Sequence, residues 1–422
     1  MARPRRLALV LVAAAALILA AVWATRQPRG GESHTESGNQ LAKAGKYSDA
    51  CEQYARAIEA SPRSAETYYA WGVALGKLGR RAEECEKYAK AVEIDPRYAD
   101  AYYRWGLALA GEPGQRPEAC EKFAKAAELA PGSAETHFRW GAALSQMGRH
   151  AEACPKFAKA VALDPLNAEA YSSWGTALAN AGRPAEAREK YARAIDLNPR
   201  FAEAYSNWGI ALASLGQHAE ACEKYAQAAE INPRHSETFY NWGVALGRDL
   251  GKPLEAYEKY AKAVELNPRF PEAHANWGVT LGQLGRYAEA CEKFATAAEL
   301  KPRYTEAYLN WGLSLGRLGR HTEACAKYAK AAEIDPRSAQ IYSFWGLALG
   351  KDLGRFSEAC EKFAKSIELD PKDVNTYCNW AIALALLGKR AEAVEKLNKA
   401  VELKPESKPQ IERVRKQFVD KQ

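Results

Sequence analysis

Residues 65–98 read AETYYAWGVALGKLGRRAEECEKYAKAVEIDPRY. The stretch divides at Gly79-Arg80. Before the division Tyr68, Trp71, Gly72 and Leu75 recur at steps of three and four, which places them on one face of a helix. After it Cys85, Tyr88, Ala91 and Val92 follow the same rule. Pro96 closes the second run, because proline has no N–H to donate and clashes with the turn before it. The unit is therefore a helix, a short turn and a second helix. Glu86 and Lys90 stand four apart in the favourable order, an ion pair expected to contribute about 0.2–0.5 kcal/mol.

The same unit recurs along the chain. Trp-Gly returns at Trp71, Trp105, Trp140, Trp174, Trp208, Trp242, Trp277, Trp311 and Trp345, and Trp380 keeps the register with Ala381 in place of glycine. Each step is 34 or 35 residues. Prolines keep pace from Pro62 and Pro96 to Pro371 and Pro405. One hairpin of this size cannot bury both of its apolar faces, so the units must stack. The tryptophans then belong to the core, and Trp242→Ala is expected to cost about 3–5 kcal/mol. Three repeats carry one extra residue, near Pro113, Asp249 and Asp352, which a turn absorbs cheaply. The first repeat has Ser37 at the tryptophan place and reads as a polar, degenerate cap. After Pro405, the stripe Ile411, Val414 and Phe418 reads as a solvating end helix.

A 34-residue period, Trp-Gly in the first helix, E-A-x-x-K-[YF]-x-x-A in the second and a closing proline together resemble the tetratricopeptide-repeat (TPR) family. The resemblance implies an all-α, right-handed superhelical solenoid of about eleven helix-turn-helix repeats. Its units would run 31–64, 65–98, 99–133, 134–167, 168–201, 202–235, 236–270, 271–304, 305–338, 339–373 and 374–407, with residues 408–422 as a C-terminal capping helix. One departure is consistent. Tryptophan takes the place the family gives to leucine, and Tyr68, Tyr102, His137, Tyr171, Tyr205 and Phe239 take the earlier aromatic place.

The N-terminus has another character. Arg3, Arg5 and Arg6 precede an uncharged apolar run from Leu7 to Ala24, and Arg26, Pro28 and Arg29 follow. Residues 1–24 read as a signal anchor or a cleaved signal peptide, with the retained anchor favoured, and 25–37 as a linker entering the degenerate repeat. The flanking charges keep the N-terminus cytoplasmic and put the repeats on the far side of the membrane, periplasmic in a bacterium and secreted or periplasmic after cleavage. Of the net charge of +7, residues 1–30 hold +5 and the other 392 only +2. A near-neutral body lacks the electrostatic footprint of a nucleic-acid partner.

Candidates for chemistry are few. Eight of the nine cysteines occupy one place in the second helix: Cys51, Cys85, Cys120, Cys154, Cys222, Cys291, Cys325 and Cys360. Equivalent atoms of stacked helices lie roughly 8–10 Å apart, beyond disulfide reach, so packed thiols are expected. His150–Cys154, His218–Cys222 and His321–Cys325 each supply two ligands where zinc needs three or four, so no metal is expected. No phosphate loop or nucleophile elbow occurs, which sets aside catalysis and any cofactor. Glu66, Asp100, Glu135, Glu169, Glu203, Glu237, Glu272 and Glu306 recur in the first turn of the first helix, where they counter the helix dipole.

The residue before each tryptophan falls off the apolar face, and the resemblance places it on the concave groove. In the C-terminal half these are Asn207, Asn241, Asn276, Asn310 and Asn379, interrupted by Phe344. They look like the asparagine ladder in the TPR region of O-linked N-acetylglucosamine transferases, which implies holding an extended peptide; the transferase activity does not carry over. In the N-terminal half the same region offers Tyr69, Tyr103, Arg104, Phe138 and Arg139, a hot-spot composition suited to an acidic or aromatic segment. Val73, Leu107 and Ala142 stand at set groove positions where a carboxylate clamp needs lysines and an asparagine, so chaperone C-termini are not expected ligands. The expected function is a membrane-tethered scaffold that binds a protein or peptide or organises an envelope complex. The alternative is a structural role through self-association, and a regulatory arm of a transferase ranks below both.

Overall fold

The computed structural model describes residues 30–420. The proposed membrane segment, residues 1–24, lies outside the described residues, as do residues 25–29 of the linker. Among the described residues no helix is long and apolar enough to cross a membrane.

The chain divides after Pro199 into two compact units, each taken here by itself. In the N-terminal unit, Gly30–Lys43 pairs with Tyr47–Ala60, Ala65–Lys77 with Arg81–Ile94, Ala99–Ala110 with Arg116–Leu129, Ala134–Gln146 with His150–Leu163, and Ala168–Asn180 with Pro184–Leu197. The C-terminal unit begins with Ala202–Ser214 against His218–Ile231 and continues the alternation to Val374–Leu386 against Arg390–Leu403, followed by Lys408–Val414. Every element among the described residues is helical.

The turn of residues 65–98 shows how each hairpin reverses. Gly79 sits at φ 73°, the left-handed region that a side chain disfavours. The Arg80 N–H then donates to the Leu75 carbonyl at 3.0 Å and the Gly79 N–H to the Gly76 carbonyl at 3.1 Å, closing the first helix. The extra residues are absorbed in two ways. Repeat three gains a 3-10 turn, Pro113–Gln115, whereas repeats seven and ten widen the end of the first helix into π turns, Ala245–Asp249 and Ala348–Asp352.

What fills the core differs from the expectation. The most buried large side chains are the aromatic rings of the second helices, among them Tyr54, Tyr88, Phe123, Phe157, Tyr191, Tyr225, Phe294 and Phe363. Each packs against the glycine that follows the tryptophan, or follows Ser37 in repeat one. A Cβ on Gly72 would come within 2.6 Å of Tyr88 Cε1, and one on Gly106 within 2.7 Å of Phe123 Cε1. Repeat eleven, which has Ala381, has Leu397 in place of the ring.

The tryptophans themselves are only half-buried. Each of the ten carries the ammonium of a lysine from its own second helix over the ring, from Lys327 above Trp311 at 3.5 Å to Lys396 above Trp380 at 4.6 Å. Placing the charge on the π face lets the indole remain partly wet. The ring also abuts the preceding repeat: Cys51 faces the Trp71 indole, Cys222 that of Trp242 and Cys360 that of Trp380. The cysteine place is thus the junction with the next tryptophan, which Tyr257 fills in repeat seven, edge-on to Trp277 at 5.6 Å. All nine thiols are free and none is exposed.

Three smaller expectations are corrected. Lys90 turns forward to Glu93 at 2.8 Å, and Glu86 instead meets Lys87 at 2.9 Å. Residues 30–37 are helical, and the first repeat packs like the others, with Gly38 beneath Tyr54. At the C-terminus Ile411 and Val419 are buried against the last hairpin, because the π turn Arg415–Val419 shifts the stripe.

Burial also sets an alkaline limit. The Cys85 thiol is pushed from an ordinary 9.0 to about 11, and the Tyr54, Tyr98 and Tyr304 hydroxyls from 10.0 to about 12, in each case chiefly by desolvation. Below pH 9 both the folded and the unfolded chain hold these protons. Above it the unfolded chain releases them while the folded chain keeps them, so stability falls with rising pH. The urea midpoint is expected to be flat around neutrality and to drop progressively between about pH 9 and 12; a flat profile there would show the groups to be solvated.

Candidate functional site

In the C-terminal unit the register sets the asparagines on one line. Asn207, Asn241, Asn276, Asn310 and Asn379 precede the tryptophan of their first helix and are all half-buried. Asn276 Nδ2 donates to the Tyr240 hydroxyl of the preceding repeat at 3.1 Å, and Asn310 Nδ2 donates to the Glu306 carbonyl at 2.9 Å. Asn207 lines a cleft of about 300 Å³ with Glu203, Asn232, His235, Glu237 and Thr238. Asn379 lines cavities beside the C-terminal helix. Phe344, which interrupts the line, stacks on Tyr328 with 6.5 Å between centroids.

A second stripe continues the place that Val73, Leu107 and Ala142 hold in the N-terminal repeats, and was not read from the sequence in the C-terminal half. Two residues after successive tryptophans stand Ile210, Val244, Val279, Leu313, Leu347 and Ile382, three positions beyond the asparagine place and so on the same helix face. Ile210 is 41% and Val279 37% exposed, while the other four are half-buried. The signal was present as an i, i+3 pairing of amide and aliphatic.

The N-terminal unit departs from the expected hot spot. Tyr69, Tyr103 and Phe138 lean on the buried rings of Tyr88, Phe123 and Phe157 at 6.0, 6.1 and 5.9 Å. Phe138 is 4% exposed and belongs to the core, so it offers no contact surface. Arg139 is held by Glu135 at 2.7 Å, with the Tyr103 hydroxyl beside both. Arg104 is exposed and engages the Tyr69 hydroxyl. The structure thus brings Tyr69 and Arg104 together, buries Phe138 and leaves Arg139 exposed in a surface pair with Glu135.

Glu84 joins them. It stands where the other ten repeats have a fully buried alanine, from Ala50 to Ala393. The missing Cβ of Gly76 leaves room for its carboxylate, which accepts from the Tyr88 hydroxyl at 3.3 Å. Burial holds its pKa above the ordinary range against the pull of Tyr88, Arg81 and Arg104. A departure from the repeat consensus was the available signal.

The acids of the first turn serve the scaffold: Glu237 meets His235 at 2.9 Å and Glu272 meets Lys301 at 2.9 Å. Of the histidine–cysteine pairs, His218 turns to Asp249, with Nδ1 at 3.1 Å from Oδ2. Among the described residues no three His, Cys, Asp or Glu side chains gather as a metal site would require.

Comparison with known proteins adds the family. Tetratricopeptide-repeat models match residues 38–79, 65–98, 172–236, 248–302 and 275–339, together just over half of the chain. A bacterial transcriptional activator domain model matches residues 105–200. No curated protein matches. Among solved structures, YrrB, described as a TPR protein with an unusual peptide-binding site, is 24% identical over 44% of this chain and 94% of its own, with a TM-score of 0.39. Yeast Tom70 is 16% identical over 92% of this chain and 96% of its own, with a TM-score of 0.39. MamA of Desulfovibrio magneticus RS-1 is 22% identical over 40% and 96%, also at 0.39. With the repeat models falling on helical hairpins that recur from residue 30 to residue 403, the chain belongs to the tetratricopeptide-repeat family.

Proposed function

We propose that this chain is a scaffold that binds, rather than transforms, its partner, holding an extended peptide along the first-helix face of the C-terminal unit. TPR arrays suit protein–protein interaction because stacking leaves one helix surface free of the core. The observation that carries the reading is the line of five half-buried asparagines in one register. An amide donates and accepts at once, so a row of them can satisfy successive backbone groups without selecting side chains. The membrane tether is part of the same proposal and rests on the basic and apolar character of residues 1–24.

The test is a crosslinking pull-down from both membrane and soluble fractions, comparing the parent with Asn241/Asn276/Asn310→Ala. Removing three amides is expected to reduce capture by roughly tenfold or more, since each lost hydrogen bond is worth about 0.5–1.5 kcal/mol. The captured material should concentrate in the membrane fraction. Equal capture by a variant that melts like the parent would refute the amide line as the binding surface.

A further inference from the structure

In several repeats the first-helix side chain two before the tryptophan covers the buried ring of the second helix. Tyr69, Tyr103, Phe138 and Tyr240 each do so, Tyr240 lying 6.1 Å from Tyr260. In repeats eight and ten that cover is absent. Ala275 and Ser343 stand there, and the rings beneath are Phe294 and Phe363, which have no hydroxyl to fill the space. A cavity lies further along the first helix beside each ring, with neither Ala275 nor Ser343 in its lining. One, of about 280 Å³, is lined by Val279, Phe294, Asn310, Leu313 and Arg317. The other, of about 650 Å³, is lined by Leu347, Lys351, Phe363, Asn379, Ile382 and Phe418.

The two share a plan except for the source of the cation, which is the following repeat for Arg317 and the ring's own repeat for Lys351. Each has a phenylalanine floor, an aliphatic side chain from each of two successive first helices, the asparagine of the following repeat and one exposed cation. Neither Arg317 nor Lys351 forms an ion pair among the described residues. Between them, in repeat nine, Leu309 stands at the covering place and Phe344 stacks on Tyr328. Phe418, from the chain's own C-terminal segment, already lies against the larger cavity, so an aromatic group fits there.

We propose that these cavities are paired subsites for a single extended acidic segment that inserts two large apolar side chains. This rests on the reading of the first-helix face as a peptide site. Stacked helices stand roughly 8–10 Å apart and an extended chain advances about 3.3 Å per residue. Two repeats therefore correspond to a separation of roughly five or six residues between the anchors. Arg317 and Lys351 select carboxylates beside each anchor.

Fluorescein-labelled peptides test this directly: an acidic background carries one leucine, or two set about two, five or eight residues apart. Anisotropy is expected to show the middle spacing binding roughly tenfold tighter than the others. Val279→Trp, at a 37% exposed wall of the smaller cavity, fills it and should abolish that advantage with the melting curve unchanged. Arg317→Glu, whose side chain is exposed, should weaken the acidic peptides and serves if the tryptophan variant misfolds. Binding indifferent to spacing, or unaffected by both variants, overturns the paired anchors. If such binding is still lost in Asn241/Asn276/Asn310→Ala, the peptide-binding reading survives alone. If no labelled peptide binds while crosslinking still captures a segment through the asparagines, the paired anchors fall and that reading stands.

Discussion

Phe157→Ala lowers the stability of the folded chain by about 3–5 kcal/mol, and Trp140→Ala in the same hairpin by only about 2–3 kcal/mol. The sequence pattern points the other way, because tryptophan is the larger residue and marks every repeat. Phe157 is 1% exposed, packs against Gly141 and is covered by Phe138 at 5.9 Å. Its removal leaves a closed cavity that the backbone on both sides cannot collapse into. Trp140 keeps one edge in solvent under the Lys156 ammonium, 3.6 Å from the ring, so water can enter where the indole is deleted. Because each hairpin touches only its neighbours, damage in repeat four also weakens its junctions with three and five. Urea unfolding followed by far-ultraviolet circular dichroism distinguishes the two. A tryptophan variant as costly as the phenylalanine variant would restore the tryptophans to the centre of the core.

The helix pairs were legible because period and punctuation agree: apolar steps of three and four, a glycine that reverses the chain and a proline that ends it. Packing was less so. A helix-face argument places Trp71 and Tyr88 on apolar faces alike, and only the tertiary stack decides that Tyr88 is enclosed and Trp71 lies at a junction. The lysine above each indole comes from sixteen or seventeen residues further along, which no local rule connects. The asparagine line was readable from register alone. The N-terminal hot spot was misjudged at Phe138 because composition says nothing of depth: an aromatic residue before arginine reads as a surface contact, yet it closes over the ring of Phe157. The paired cavities depend on the spacing of neighbouring first helices around Phe294 and Phe363, which no local rule supplies.

Glycine and ring form one structural element, and exchanging both together costs less than the two changes taken separately. A Cβ at Gly106 would stand 2.7 Å from Phe123 Cε1, inside any real contact distance. Gly106→Ala therefore forces the ring aside, an overpacking cost of about 1–3 kcal/mol that outweighs the roughly 1 kcal/mol gained in helix propensity. Phe123→Leu alone leaves the space above glycine unfilled and costs about 1–2 kcal/mol. In the double variant the alanine methyl occupies what the ring vacated, as Ala381 and Leu397 already do in repeat eleven. The two costs are then expected to overlap by at least about 1 kcal/mol in a double-mutant cycle read from urea midpoints. Strict additivity would mean that the backbone, not the ring, absorbs the added methyl. The glycine after each tryptophan would then owe its place to something other than the aromatic side chain it faces.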